Sequence, residues 1–263
     1  KKFRKYLSSI KKITSADLEK IKSKITMIVD PAIEFAIASK QPSSDKNSEL
    51  GDVYANTFFK PKDSLTNMRK MRYVDAISDA LHYNMSNDSK LILMGQDICE
   101  YGGVFKVTKN FNKDFGKERV RNTPITESAV LGAAVGLSVE GFKTVIEMQF
   151  ADFVSCGFNQ IVNNIAKTHY RWGKPINVTV RLPYGGGMSA GPFHSQCPES
   201  WFLHVPGLKM VAPSNPTDAK GLLNSAIEDP NPVLFLEHKG LYRSMKEEVS
   251  SNYYNIEIGK AKI

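Results

Sequence analysis

At 263 residues, with 41% hydrophobic content and a net charge of +8, the chain can bury the core of one α/β domain plus an appendage, and it is too apolar to remain disordered. No apolar run approaches the roughly 18 residues that a membrane span requires, and no aromatic-basic cluster accompanies the positive charge, so neither a membrane nor a nucleic acid is expected as partner. Cys99, Cys156 and Cys197 lie far apart without paired metal spacing, which suits reduced thiols in the cytoplasm or, in a eukaryote, the mitochondrial matrix.

In chain order, the first segment is basic and amphipathic. Lys1, Lys2, Arg4, Lys5, Lys11 and Lys12, then Lys20, Lys22 and Lys24, recur on its polar side as a solvated helix face. Thr14-Ser15-Ala16-Asp17 has the composition of a helix cap, and Leu18, Ile21, Ile25 and Ile28 follow at helical spacing until Pro31 interrupts or kinks the helix. "PAIEFAIAS" then adds a second short helix, and the turn-rich "KQPSSDKNSELGD", Lys40 to Asp52, reads as a linker. So few turns make no core of their own, and the stripe is expected to dock on something.

From about Met71 helices and strands alternate. Helices are expected near 71–86, 126–139, 154–171 and 216–228, and strands at "KLILMG", "TVIEMQF", "INVTVRL", "LKMVAP" and "PVLFLEH". Strands that are short, apolar and uninterrupted belong to a parallel sheet covered on both faces, so the expected fold is a doubly wound, mostly parallel α/β domain with an N-terminal helical extension. Ligands of such sheets sit beyond the carboxyl ends of the strands. The loops there carry Gln96-Asp97, "FADF" ending at Phe153, "PYGGGMSAGPFHSQ" with His194, and Glu237-His238.

Two readings of Glu127 stand side by side. In the first turn of a helix a carboxylate suits the helix dipole, yet at helical spacing it shares a face with Leu131, Ala134 and Val135, where it needs a partner such as a protonatable ligand nitrogen. His194 is balanced between a satisfied structural histidine and a ligand-facing one, because the preceding Gly185, Gly186, Gly187 and Gly191 let the backbone approach a ligand. Those glycines lack the Lys-Ser/Thr of a phosphate loop, and the other histidines lack zinc spacing. Phe153, at a strand end, is a candidate stacking surface.

The stretches "LILMGQDICEYGGVFKVTKNF", "FGKERVRNTPITESAVLGAAVGLSVEGFKTVIEMQFADF", "QIVNNIAKTHYRWG" and "FHSQCPESWFLHVPGLKMVAPSNPTDAKGLLNSAIEDPNPVLFLEHKGLYR" together resemble the beta-type subunit of the thiamine-diphosphate-dependent decarboxylating component of 2-oxoacid dehydrogenase complexes, over about Met71 to Ser244. The resemblance implies the pyrimidine-binding, transketolase-like domain over 60–245. It also implies a helical tail and linker over 1–59, similar to the end of the alpha-type subunit in fused relatives, and a connector over 246–263 toward a further C-terminal domain.

The resemblance further implies that Glu127 hydrogen-bonds the aminopyrimidine ring nitrogen of thiamine diphosphate and favours its imino tautomer, that Phe153 packs on that ring, and that His194 acts around decarboxylation and acyl transfer. Gln96 is a third cofactor-binding candidate, at a position that is glutamate in many relatives, a departure that leaves an acid-base role there open. The carbonyls of Val178, Ala226 and Ile227, with Asp229 and Asn231, match a structural potassium site. The Gly-Asp-Gly motif that holds magnesium and the diphosphate is missing and is expected on the alpha-type half, so this part alone is expected to bind the cofactor weakly or not at all.

The implied activity is oxidative decarboxylation of a 2-oxo acid, branched-chain favoured over pyruvate, with the acyl group passed to a lipoyl-bearing acyltransferase, in a homo-oligomer or an alpha-two-beta-two-like assembly. The alternatives are another transketolase-type thiamine enzyme and a non-catalytic assembly module of the same fold.

Overall fold

In the computed structural model, which describes residues 1–10, 12–43, 45–62 and 66–260, the chain divides into two units, Lys1–Lys46 and Asn47–Ile263. Lys11 of the basic run, Ser44 of the expected linker, residues 63–65 and the last three residues of the expected connector lie outside the described residues.

The first unit carries α1 (Lys2–Ser9) and α2 (Ser15–Ala38). Thr14 caps α2 reciprocally: its hydroxyl accepts from the Asp17 N–H at 3.1 Å, and its own N–H donates to the Asp17 carboxylate at 2.9 Å. Instead of two short helices separated at Pro31, one helix of 24 residues runs through it. Pro31 forfeits a single backbone hydrogen bond, while the helix-compatible turns on either side keep theirs. Within this unit Ile21, Ile25 and Ile28 remain about half exposed.

The second unit includes most of α3 (Lys46–Gly51), then β1 (Met68–Arg72) and α4 (Tyr73–Asn87). Its main sheet is formed by β2 (Leu91–Gly95), β3 (Val120–Asn122), β4 (Lys143–Glu147), β5 (Val178–Tyr184), β6 (Lys209–Val211) and β7 (Val233–His238). Six parallel strands lie in the order β3-β2-β4-β5-β7-β6. Because successive strand residues point to opposite faces, Leu91 and Leu93 of β2 pack with Ile77, Leu81 and Leu223, whereas Ile92 and Met94 pack with Leu131, Ile161 and Val180. Every residue of β2 is buried, as a strand covered on both faces requires.

Helices α5 (Phe111–Phe115), α6 (Glu127–Val139), α7 (Thr168–Trp172), α8 (Pro216–Glu228) and α9 (Leu241–Ser244) complete the layers. Asn215 caps α8, accepting from the Asp218 N–H at 2.8 Å, with Pro216 following at the first helical position. The helix expected over 154–171 is broken into a 3-10 turn, Ala151–Gly157, a π-helical turn, Gln160–Ile165, and α7. The segment passes close to α6, where a Cβ at Gly157 would lie 2.3 Å from the Leu131 Cδ1. Val154, Ile161 and Ile165 are buried, but Phe158 is exposed.

Beyond the sheet, Lys246–Ser250 forms β8, antiparallel to β1, and Tyr254 packs with Met71, Ala76 and Val249. This small pair has no counterpart among the expected strands.

Candidate active site at the carboxyl edge of the sheet

The chain leaves β2 for β3 on one side and returns to β4 on the other, so the crevice between the ends of β2 and β4 is a topological switch point, where ligands of open α/β sheets bind. A small cleft opens there, lined by Gly95, Gln96, Thr123, Glu127, Ile146 and Met148 among others. Glu127 is the first residue of α6. Thr126 holds the cap position, but its hydroxyl donates to the Pro124 carbonyl at 3.4 Å and leaves the helix end uncapped by a side chain.

The Glu127 carboxylate is half-buried rather than enclosed among apolar groups. Its Oε1 accepts a hydrogen bond from Gln96 Nε2 at 3.1 Å, and its Oε2 has no hydrogen-bond partner among the described residues. A carboxylate with one oxygen oriented by an amide and the other unengaged can accept a hydrogen bond from a ligand N–H. The residues present therefore fit an aminopyrimidine nitrogen.

Phe153 and His194 meet one another from the segments that follow the neighbouring strands β4 and β5. Phe153 lies in the 3-10 turn after β4, and His194 ends a second 3-10 turn, Pro192–His194, in the loop after β5. Their rings stand nearly perpendicular at 5.5 Å, and Phe150 stands perpendicular to both, 4.5 Å from His194 and 6.0 Å from Phe153. Gly157, four residues after Phe153, packs against the start of α6, where its added Cβ would lie 3.6 Å from the Glu127 backbone carbonyl. The loop that bears His194 leaves the strand at Gly185, where φ is +92° and a Cβ would fall 2.5 Å from the His238 ring, so glycine is required at that bend.

Under the cleft lies a buried ion network that the sequence reading does not identify. Arg181 donates to Glu237 at 2.6 and 2.8 Å and to Glu147, and the Tyr242 hydroxyl donates to Glu237 at 2.6 Å. Burial pushes the Glu147 carboxyl up, with Arg181 holding against it. Burial also works against the Arg181 charge, but Glu237 and Glu147 more than offset it and keep its pKa above the ordinary value. The signal was present as one charge in each of three apolar strand runs, which β4, β5 and β7 bring side by side.

The five residues matched to a cation site converge where β5 begins and α8 ends. Their oxygens are already engaged: Ala226 O accepts from the Thr179 hydroxyl at 3.1 Å, and the Asn177 side-chain amide donates to Ile227 O at 3.1 Å and Asp229 O at 2.5 Å. The Lys209 ammonium lies 2.6 Å from the Asp229 carboxylate. Asn231 exchanges hydrogen bonds with the backbone of Ala55, and Val178 is buried at the head of β5. These oxygens suit a hard monovalent cation in kind, but such an ion has to compete with the chain's own donors. No group of three or more His, Cys, Asp or Glu able to hold a metal occurs among the described residues. Cys99 is buried and Cys156 and Cys197 are exposed, all three as free thiols. No helix among the described residues is long and apolar enough to cross a membrane.

Comparison with known proteins places this geometry in context. The family described as "Transketolase, pyrimidine binding domain" matches residues 69–245. The chain is 46% identical over 200 residues to the "2-oxoisovalerate dehydrogenase subunit beta" of Bacillus subtilis, across 74% of this chain and 61% of that protein. It is also 46% identical over 198 residues to the "Pyruvate dehydrogenase E1 component subunit beta" of Staphylococcus aureus, with the same shares of each. The chain thus spans 61% of the length of these curated relatives. Among solved structures, a "Split gene transketolase, inactive beta4 tetramer" aligns with a TM-score of 0.49 at 22% identity, over 63% of this chain and 50% of that chain.

Proposed function

The chain belongs to the family of transketolase pyrimidine-binding domains, and from that premise we propose that it supplies the aminopyrimidine-activating half of a thiamine-diphosphate site in a 2-oxoacid dehydrogenase. The observation that carries the reading is Glu127 at the switch point, one carboxylate oxygen held by Gln96 and the other without a partner among the described residues. The bound cofactor supplies an electron sink for the pair released when a 2-oxo acid loses carbon dioxide.

Glu127 accepts a charge-assisted hydrogen bond from the aminopyrimidine ring N–H and so holds a proton at that nitrogen. Gln96 orients that carboxylate by donation and, being an amide, exchanges no proton with it. Phe153 offers its ring to the aminopyrimidine. His194, fixed against Phe150 and Phe153, delivers or removes a proton at the reacting end of the substrate.

Magnesium and the diphosphate are held by an alpha-type half, and potassium by Val178, Ala226, Ile227, Asp229 and Asn231, an assignment that rests on the resemblance. The acyl group passes to a lipoyl-bearing acyltransferase, in an alpha-two-beta-two-like assembly of the cytoplasm or the mitochondrial matrix. Branched-chain substrates are favoured, in keeping with "FAD" plus aromatic and "HSQCPE".

The test is reconstitution of the chain with an alpha-type subunit that carries Gly-Asp-Gly, followed by 2-oxo-acid-dependent ferricyanide reduction with 2-oxoisovalerate and with pyruvate. Glu127→Gln is expected to lower turnover by about 10²- to 10⁴-fold, the range of a lost acid-base function, with the fold intact. Undiminished turnover in that variant would exclude the reading, as would turnover by the chain alone.

A further inference from the structure

Beside the His194 loop lie two buried charged groups that the proposed chemistry does not use. Asp152, in the turn after β4, is 4% exposed. Its Oδ1 accepts hydrogen bonds from the backbone N–H groups of Ser195 at 3.2 Å and Gln196 at 3.1 Å, and its Oδ2 has no partner among the described residues. Lys239, which follows β7, is likewise 4% exposed, and its ammonium has no hydrogen-bond partner among the described residues. That ammonium lies over the Phe150 ring, 5.5 Å from the centroid, and the same ring stands perpendicular to the His194 imidazole. Burial lowers the Lys239 pKa, with Asp152 and then Cys197 acting in the opposite direction. An ammonium taken out of water without an acceptor is costly, so a nearby anion has to offset the loss.

We propose that Asp152 and Lys239 act together as positioning residues, the carboxylate clasping the base of the His194 loop and the ammonium serving as its buried counter-charge. Besides the Phe150 and Phe153 rings against His194, two backbone hydrogen bonds hold the loop. Gly185 N–H donates to Gln196 O at 3.2 Å across the base, and within the loop His194 N–H donates to Gly191 O at 3.3 Å. Gly185, Gly187 and Gly191 all take positive φ, so the backbone between them has no intrinsic preference for this path. Hydrogen bonds from two consecutive N–H groups to one ionised carboxylate are stronger than neutral ones and fix the peptide that follows His194. Phe150, in contact with both Lys239 and His194, carries the same constraint to the imidazole ring.

The consequence for turnover rests on the role assigned to His194 above, but the clasp does not, and its test is made on the chain alone by NMR. Asp152→Ala is expected to speed amide hydrogen exchange at Ser195 and Gln196 by about tenfold or more, with the amides of β4 and β5 unchanged. Asp152→Asn keeps an acceptor oxygen, so most of that protection is expected to remain, while the pH at which the Lys239 side chain titrates, followed at its 13Cε, moves down. Ser195 and Gln196 amides as protected in Asp152→Ala as in the wild type would overturn the clasp. A Lys239 titration unmoved by Asp152→Asn would overturn the pairing, and because that variant is isosteric it decides the matter even where Asp152→Ala does not fold. Failure of the proposed activity would appear instead as absent turnover with both NMR results in place.

Discussion

Gln96 Nε2 lies 3.1 Å from Glu127 Oε1, a contact that joins the end of β2 to the first turn of α6 across the switch point of the sheet. The amide orients the carboxylate without competing for its proton. Gln96→Ala is expected to lower the turnover of the reconstituted enzyme by about tenfold, equivalent to about 1.4 kcal/mol, for the loss of one charge-assisted hydrogen bond. The urea midpoint should stay put because Gln96 is only half-buried. Turnover equal to that of the wild type would mean that the helix and the cleft walls alone hold Glu127.

Arg181 separates two buried carboxylates, Glu147 and Glu237. Arg181→Met removes the cation and leaves both acids without water or a counter-charge, and a loss of about 3 to 5 kcal/mol is expected in urea denaturation. A midpoint and slope indistinguishable from wild type would show that the network contributes nothing to the fold.

Tyr73, Tyr242 and Tyr254 are buried, their hydroxyls donating to Pro213 O, Glu237 Oε2 and Thr217 O at 2.9, 2.6 and 2.8 Å. Burial, reinforced by Glu237 beside Tyr73 and Tyr242 and by Glu247 beside Tyr254, raises each phenol above its ordinary value of 10.0. The unfolded chain releases these protons near pH 10 and the folded chain retains them, so their contribution to stability is complete below that pH and is lost as pH rises beyond it. Each is expected to subtract about 1.4 kcal/mol per pH unit in that window. Denaturation against pH, with phenolate absorbance followed in parallel, checks this: phenolate appearing from these three residues before unfolding would contradict it.

Potassium is expected to raise the melting temperature of the chain over that in choline chloride of equal ionic strength. An ion at a hundred times its dissociation constant adds about 2.7 kcal/mol, or about 5 °C or more in a domain of this size. Equal melting temperatures in the two salts would remove potassium from the assignment and leave Lys209 as the cation held by Asp229.

The runs from "KLILMG" to "PVLFLEH" are legible as strands because a strand buried on both faces has to be apolar throughout. β3, Val120-Arg121-Asn122, is an edge strand with one buried residue and carries no such signal. The pair β1 and β8, Met-Arg-Lys-Met-Arg and Lys-Glu-Glu-Val-Ser, is masked by its charges. Pro31 reads locally as a helix stop, yet the turns around it outweigh the one hydrogen bond it removes.

Residue type and position make Glu127, Phe153 and His194 candidates beside a structural reading, and their roles come from the family resemblance. The elements around them are legible because partition between water and core writes each element's periodicity into its own few residues. The partners of those residues are not legible. That Gln96 reaches Glu127, that Asp152 meets Ser195 and Gln196, and that Arg181 joins Glu147 to Glu237 depends on strand order and register, which bring together residues from 31 to 56 positions apart. Local sequence sets which groups want burial or water, and only the assembled sheet decides which of them face one another.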